Sequence, residues 1–164
     1  MDRTVRWVSL VVITIATGQV LAAESTSTAS PVTACSLFST QDAAAALGEP
    51  VTGPESKTGI PFMPGVTASN CAYEGSGYNR VNLNVWHASA DAAAQFHQMY
   101  AAACTGKTTS GLAGLGDVSC WYNEKHEELQ VLKGTTFFSV ELRENGDPTN
   151  AIKAAAKKVS DQLP

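Results

Sequence analysis

The chain has 164 residues, a net charge of −4 with histidines neutral, and four cysteines. That length holds one domain with a real core. Its cations, Lys57, Arg80, Lys107, Lys125, Lys133 and Arg143, are scattered, and only Lys153, Lys157 and Lys158 lie close together. A nucleic acid or an anionic membrane surface needs a concentrated positive face, so neither is an expected partner.

Arg3 and Arg6 precede the apolar stretch from Trp7 to Ala16, and Val20-Leu21-Ala22 then offers small residues where a signal peptidase reads. This is the pattern of a secretory signal peptide, expected over residues 1–22. Ser9, Thr14, Thr17 and Gly18 interrupt the run and make it too short for a membrane span. The mature chain is expected to begin near Ala23, exported to a periplasm or secreted, where disulfides persist. Residues 23–34, rich in Ser, Thr and Ala, read as a flexible tail. Cys35 stands well beyond the leader rather than directly after it, so no lipid anchor is expected. Residues 35–164 are expected to form a single disulfide-stapled α+β domain.

Within it, Ser39 or Thr40 can cap a short helix through Ala43 to Leu47, which Gly48 ends. Residues 50–70, rich in Pro and Gly, read as a long connection. Asn70 to Glu74 reads as a strand, followed by a turn at Gly75-Ser76-Gly77. Val81-Asn82-Leu83-Asn84-Val85-Trp86-His87 then alternates as a half-buried strand does. Ser89 to Cys104 reads as a helix with Ala92, Phe96, Met99 and Ala103 on one face. Past a Gly-rich loop, Val118 to Asn123, Glu128 to Lys133 and Thr135 to Arg143 are strands. Asp147 and Pro148 open a final helix with the stripe Ile152, Ala155, Ala156, Val159 and Leu163.

The expected order is therefore α-β-β-β-α-β-β-β-α, an α+β fold with an antiparallel sheet of five to six strands and flanking helices. Asn70-Cys71-Ala72-Tyr73-Glu74 echoes Ser119-Cys120-Trp121-Tyr122-Asn123. The echo suggests an internal repeat of an α-β-β-β unit.

The opening Cys35-Ser36-Leu37-Phe38-Ser39-Thr40-Gln41-Asp42-Ala43, closed by Leu47-Gly48, resembles that of a group of small exported bacterial domains of unknown function. Many members of that group are actinobacterial lipoproteins. The Cys71-Ala72-Tyr73 strand, the Gly114-Leu115-Gly116-Asp117 turn and the Lys- and Ala-rich last helix are similar to the group as well. The resemblance implies an α+β domain with a Cys35–Cys71 bridge and transfers no catalytic residue.

Four cysteines allow three pairings. Cys35–Cys71 would clip the first helix to the first hairpin, and Cys104–Cys120 would clip the second helix to the second set of strands. Cys71–Cys120 competes with them, and the residues alone leave it open. The expected set is Cys35–Cys71 with Cys104–Cys120 and no free thiol. No Cys-x-x-Cys or clustered His points to redox or metal chemistry, and no cofactor is expected. Ala101 to Thr108 fits a relaxed phosphate-loop pattern, but a helix rather than a strand precedes it. His126-Glu127-Glu128-Leu129-Gln130 lacks the second histidine of a zinc-protease helix.

Gly59-Ile60-Pro61-Phe62-Met63-Pro64-Gly65 sets an apolar triplet between prolines, which stiffens it for docking. Trp86, beside Asn82 and Asn84 on one strand face, is the other binding candidate. Ile60, Phe62, Met63 and Trp86 are thus the expected contact residues of a non-catalytic exported domain that binds a protein or small ligand. The alternatives are an enzyme using dispersed residues such as His87, His97 and Asp117, or a structural surface protein.

Overall fold

The computed structural model of the protein describes residues 32–144 and 146–164. The expected signal peptide and most of the expected tail lie outside the described residues. Of that tail, Ala34 is fully buried and already helical, because Thr33 caps the first turn.

Two short helices open the fold, α1 (Ala34–Leu37) and α2 (Thr40–Leu47). The expected helix capped by Ser39 and ended by Gly48 is α2; α1 was not expected, and the two are separate because Phe38 turns extended and Ser39 starts a new cap. The Ser39 hydroxyl accepts from the Asp42 N–H at 3.3 Å, and the Asp42 carboxylate accepts from the Ser39 N–H at 2.9 Å. This reciprocal box satisfies two donors that a helix start otherwise leaves unpaired. Gly48, at φ 68°, closes α2 with a left-handed turn that a β-carbon would strain.

Six antiparallel strands follow in the spatial order β1-β2-β3-β6-β5-β4. They are β1 (Thr52–Met63), β2 (Val66–Glu74), β3 (Arg80–Ala88), β4 (Val118–Trp121), β5 (Glu128–Lys133) and β6 (Thr136–Arg143). Helix α3 (Ala93–Ala103) joins the two three-strand meanders, and α4 (Thr149–Asp161) ends the chain. The sheet and helix layout is the expected α+β one.

The long connection expected at residues 50–70 is instead β1 and the start of β2. As an edge strand β1 needs backbone partners on one side only, which tolerates Pro54 and Pro61. Register shifts at three places absorb its irregularity. The two Cys-containing segments are not equivalent positions of a repeat. Cys71 lies in β2 opposite Leu83, whereas Cys120 lies in β4 opposite Gln130, on the other sheet face. The strand order itself is that of two meanders meeting at β3 and β6.

Each sheet face has its own cover. Helices α1, α2 and α4 lie on one, over Tyr73, Val81, Leu83, Val85, Leu129, Val131, Phe138, Val140 and Leu142. The α4 stripe Ile152, Ala155, Ala156, Val159 and Leu163 is buried against them. Pro148 is the N-cap of this helix, and the preceding Asp147 carboxylate accepts from the Thr149 N–H at 3.0 Å. On the opposite face α3 covers only one end, over Val66, Ala88, Leu132 and Phe137. Its inward residues are Ala92, Phe96, Tyr100 and Cys104, spaced by four, while the expected inward Met99 and Ala103 are exposed.

Candidate functional site

The site is built where the α3 face runs out of cover. On β3 the alternation that buries Val81, Leu83 and Val85 sends Asn82, Asn84 and Trp86 to the other side. Trp86 pairs with Ala68 of β2 and Phe137 of β6, and Ala68 pairs in turn with Ile60 of β1. One row across the sheet therefore reads Ile60, Ala68, Trp86, Phe137, Leu132, Val118. Its inner end is closed by α3, whose Tyr100 ring stacks on Phe137 with centroids 3.6 Å apart. Phe96 meets Tyr100 edge-on at 4.7 Å, and Phe62 meets Trp86 edge-on at 6.3 Å. Burial pushes the Tyr100 hydroxyl up to about 12, because its phenolate would be poorly solvated there.

The outer end of the row stays open. Ile60 is 40% and Phe62 50% exposed, whereas Met63 and Trp86 are partly buried against the aromatic cluster. The four expected contact residues thus fall around one patch, with Phe62 and Met63 carried by the tip of the β1–β2 hairpin. Gly65 at φ 74° makes that tip, and a β-carbon on it would stand 2.7 Å from the Ser89 hydroxyl and 2.9 Å from the Ala92 β-carbon. The same glycine's carbonyl accepts from the Ser89 N–H at 2.7 Å, which fastens the hairpin to the start of α3.

A hydrogen-bonded polar row lies beside the aromatic one. Asn70 Nδ2 donates to Asn84 Oδ1 at 2.8 Å, and Asn84 Nδ2 donates to Ser139 Oγ at 3.3 Å. One row further, Asn82 Nδ2 donates to Glu141 Oε2 at 3.1 Å, and Arg80 Nε donates to Asn82 Oδ1 at 2.9 Å. The sequence showed the Asn82, Asn84 and Trp86 side of this strip. Its continuation through Asn70 and Ser139 was hidden, because it depends on strand register.

Disulfides fix both covers. Cys35 is bonded to Cys71 and Cys104 to Cys120. The second bridge ties the C-terminal end of α3 to edge strand β4 and so holds the aromatic cluster closed on that side. With Cys71 and Cys120 on opposite sheet faces, the competing bridge between them has no path.

The dispersed titratable residues do not converge. His87 Nδ1 lies 3.1 Å from the Thr136 hydroxyl, and the Asp117 carboxylate accepts from the Gly134 N–H at 2.7 Å. His97 is exposed on α3 because it falls beside Phe96 rather than in the inward stripe. No described hydrogen bond or ion pair joins one of these three residues to another. Among the described residues, no three His, Cys, Asp or Glu side chains gather as a metal site, and no helix is long and apolar enough to cross a membrane.

A depression of about 720 Å³ lies at the other end of the sheet and was not anticipated. Glu127, Glu128, Glu141 and Asp147 line it together with Lys125 and Arg143. Three of its carboxylates are already engaged, Glu141 with Arg143 and Asn82, Glu128 with the Gln130 amide, and Asp147 with the start of α4. Hydrogen bonds to Thr149, from its side chain and its N–H, hold the Asp147 carboxyl below the usual range. This is a solvated groove of mixed charge.

No protein-family model matches this chain, and neither does any curated protein or solved structure.

Proposed function

We propose that the protein is a non-catalytic exported binding domain whose contact surface is the patch of Ile60, Phe62, Met63 and Trp86. The observation that carries this reading is the half-open aromatic row. Two large apolar side chains stay exposed at its outer end, on a hairpin fastened to α3, while its inner end is tightly packed. Apolar surface held rigidly in water docks at low entropic cost. The dispersal of His87, His97 and Asp117 favours binding over catalysis. Export is supported by the two disulfides, which need an oxidising compartment, together with the leader pattern.

The test pairs a melting curve with partner capture from the exported fraction, using Phe62→Ser with Met63→Ser. Both residues sit at the rim, so the expected melting temperature falls by a few degrees at most while capture is lost. A collapse in melting temperature would show instead that they plug the α3 core, and the proposed surface would go with it.

A further inference from the structure

We propose that the outer edge of β1 pairs with the same edge of a second copy of this chain, making a two-fold dimer with one continuous sheet. The inference is independent of the binding-domain reading. A strand edge presents unpaired N–H and C=O groups that template another strand. The two edges of this sheet are finished differently. At the β4 edge the Trp121 N–H donates to the Thr108 carbonyl at 3.0 Å, and the Ser119 hydroxyl donates to the Leu112 carbonyl at 3.2 Å. The Cys104–Cys120 bridge holds the end of α3 there as well. Along β1, among the described residues, the backbone hydrogen-bonds to β2 alone. Residues 52–62 are all exposed.

The charge at the centre of β1 selects a second copy as the occupant. Glu55, Ser56 and Lys57 pair in unbroken register with Ala72, Cys71 and Asn70. Glu55 and Lys57 therefore share one sheet face, and Ser56 takes the other. Among the described residues, neither charged side chain joins an ion pair. A lone lysine on an edge discourages pairing. Glu55, two residues away, makes the segment self-complementary instead. A two-fold axis through Ser56 sets Glu55 opposite Lys57 of the partner subunit, and Lys57 opposite Glu55 of the partner subunit. Residues directly opposite bring their β-carbons to about 5 Å, within reach of a charge pair. An axis through Glu55 or through Lys57 would set like charges face to face, so charge fixes the register.

The prolines flank this centre rather than fall in it. Register shifts between Thr52 and Glu55 and between Lys57 and Ile60 confine regular pairing to the middle of the strand. The dimer is therefore of the weak class, with a Kd of about 10 µM to 1 mM. An unrelated strand would gain the same backbone hydrogen bonds without the reciprocal charge pairs. Edge-to-edge pairing keeps both α3 faces on one side of the joined sheet, so the dimer presents two Phe62 patches in the same direction.

The experiment measures the mass of the disulfide-intact chain by sedimentation equilibrium from about 1 µM to 1 mM. A monomer–dimer equilibrium is expected, weakening as salt is raised because the charge pairs are exposed. Glu55→Lys and Lys57→Glu each turn both attractions into repulsions and should weaken it roughly 10-fold or more. Mixed in equal amounts, these two variants should associate again as a heterodimer. Glu55→Lys with Lys57→Glu in one chain should restore the homodimer. A melting curve of each variant confirms that it is folded. A monomer throughout the range overturns the proposal and leaves the edge to another occupant. A dimer indifferent to the charge reversals overturns it equally, because the copies then meet elsewhere. Neither result touches the binding-domain reading, since Phe62 and Met63 lie outside the charged centre and partner capture is read separately.

Discussion

The two faces of the sheet are built from the same strands but solve different problems. Under α1, α2 and α4 most inward positions are apolar, and Val81, Leu83, Val85, Leu129, Val131, Phe138, Val140 and Leu142 are essentially sealed from water, while the buried Ser69 hydroxyl accepts from the Ala34 N–H at 2.9 Å. Under α3 the cover is one helix of 11 residues, so the face grades from packed aromatics to half-open Trp86 to an amide ladder. Hydrophobic burial scales with area removed from water, and this second face removes much less. The first face supplies most of the burial, and the second leaves Ile60 and Phe62 exposed at its outer end.

Adjacent residues of β6 allow the sharpest comparison. Phe138 points to the sealed face and Phe137 to the α3 face. Phe138→Ala should cost about 3–5 kcal/mol, since a sealed site cannot collapse around the cavity. Phe137→Ala should fall at or below the low end of that range, because Tyr100 and Trp86 stand at a rim free to relax. Urea unfolding of both variants measures the difference, and equal costs would erase the distinction between the faces.

Next in size is the loss of the bridge that holds the thinner cover. Replacing Cys104 and Cys120 with Ala opens a loop of 16 residues' separation, and the chain-entropy account puts the cost at about 3 kcal/mol. Amide exchange should quicken first in α3, with α4 still protected. Uniform quickening would mean that the two covers melt as one unit.

A smaller effect is expected on the sealed side, where Asp42 both caps α2 and pairs with Lys158 of α4. Burial disfavours the Asp42 charge, but the Lys158 ammonium and the Ser39 N–H and hydroxyl outweigh it, so its carboxyl lies below the ordinary range. The stability it contributes is present at neutral pH and is lost as pH falls through that lowered pKa. Asp42→Asn should cost about 1 kcal/mol at neutral pH, with most of that from the cap, because Lys158 is half exposed. The gap from wild type should close in acid.

The smallest effect at neutral pH concerns Tyr100. Its pKa is raised from 10.0 to about 12, so the folded state favours the neutral phenol. That contribution is intact below pH 10 and fades as pH climbs towards 12. Ultraviolet titration should show two tyrosines ionising late, the buried Tyr73 and Tyr100. Phe137→Ala, which opens the stack, should bring Tyr100 back towards the exposed tyrosines.

What could be read from the chain followed how each segment is buried. Residues 81–87 were legible because one face of β3 is sealed and the alternation is written in Val and Leu. The stripe of α4 was legible for the same reason. β1 was not, because it is exposed on both faces and buries nothing that would impose a period, so its Pro and Gly residues looked like a connection. The register of α3 was missed where Met99 and Tyr100 compete, since either can follow Phe96 at helical spacing.

The sequence by itself determined the α+β order, the sealed core of β3, β6 and α4, and the residue types available for a contact site. Those follow from local periodicity and capping, which act between residues near one another in the chain. Only the tertiary structure decided that β3 pairs with β6, that Cys71 and Cys120 face opposite ways, and that Tyr100 of α3 packs beside Trp86. Strand pairing joins residues as far apart as Asn84 and Ser139, and a shift of one residue would turn every side chain to the other face. Asn82, Asn84 and Trp86 face away from the sealed core because that register is set by the packing of Val81, Leu83 and Val85 on the face opposite.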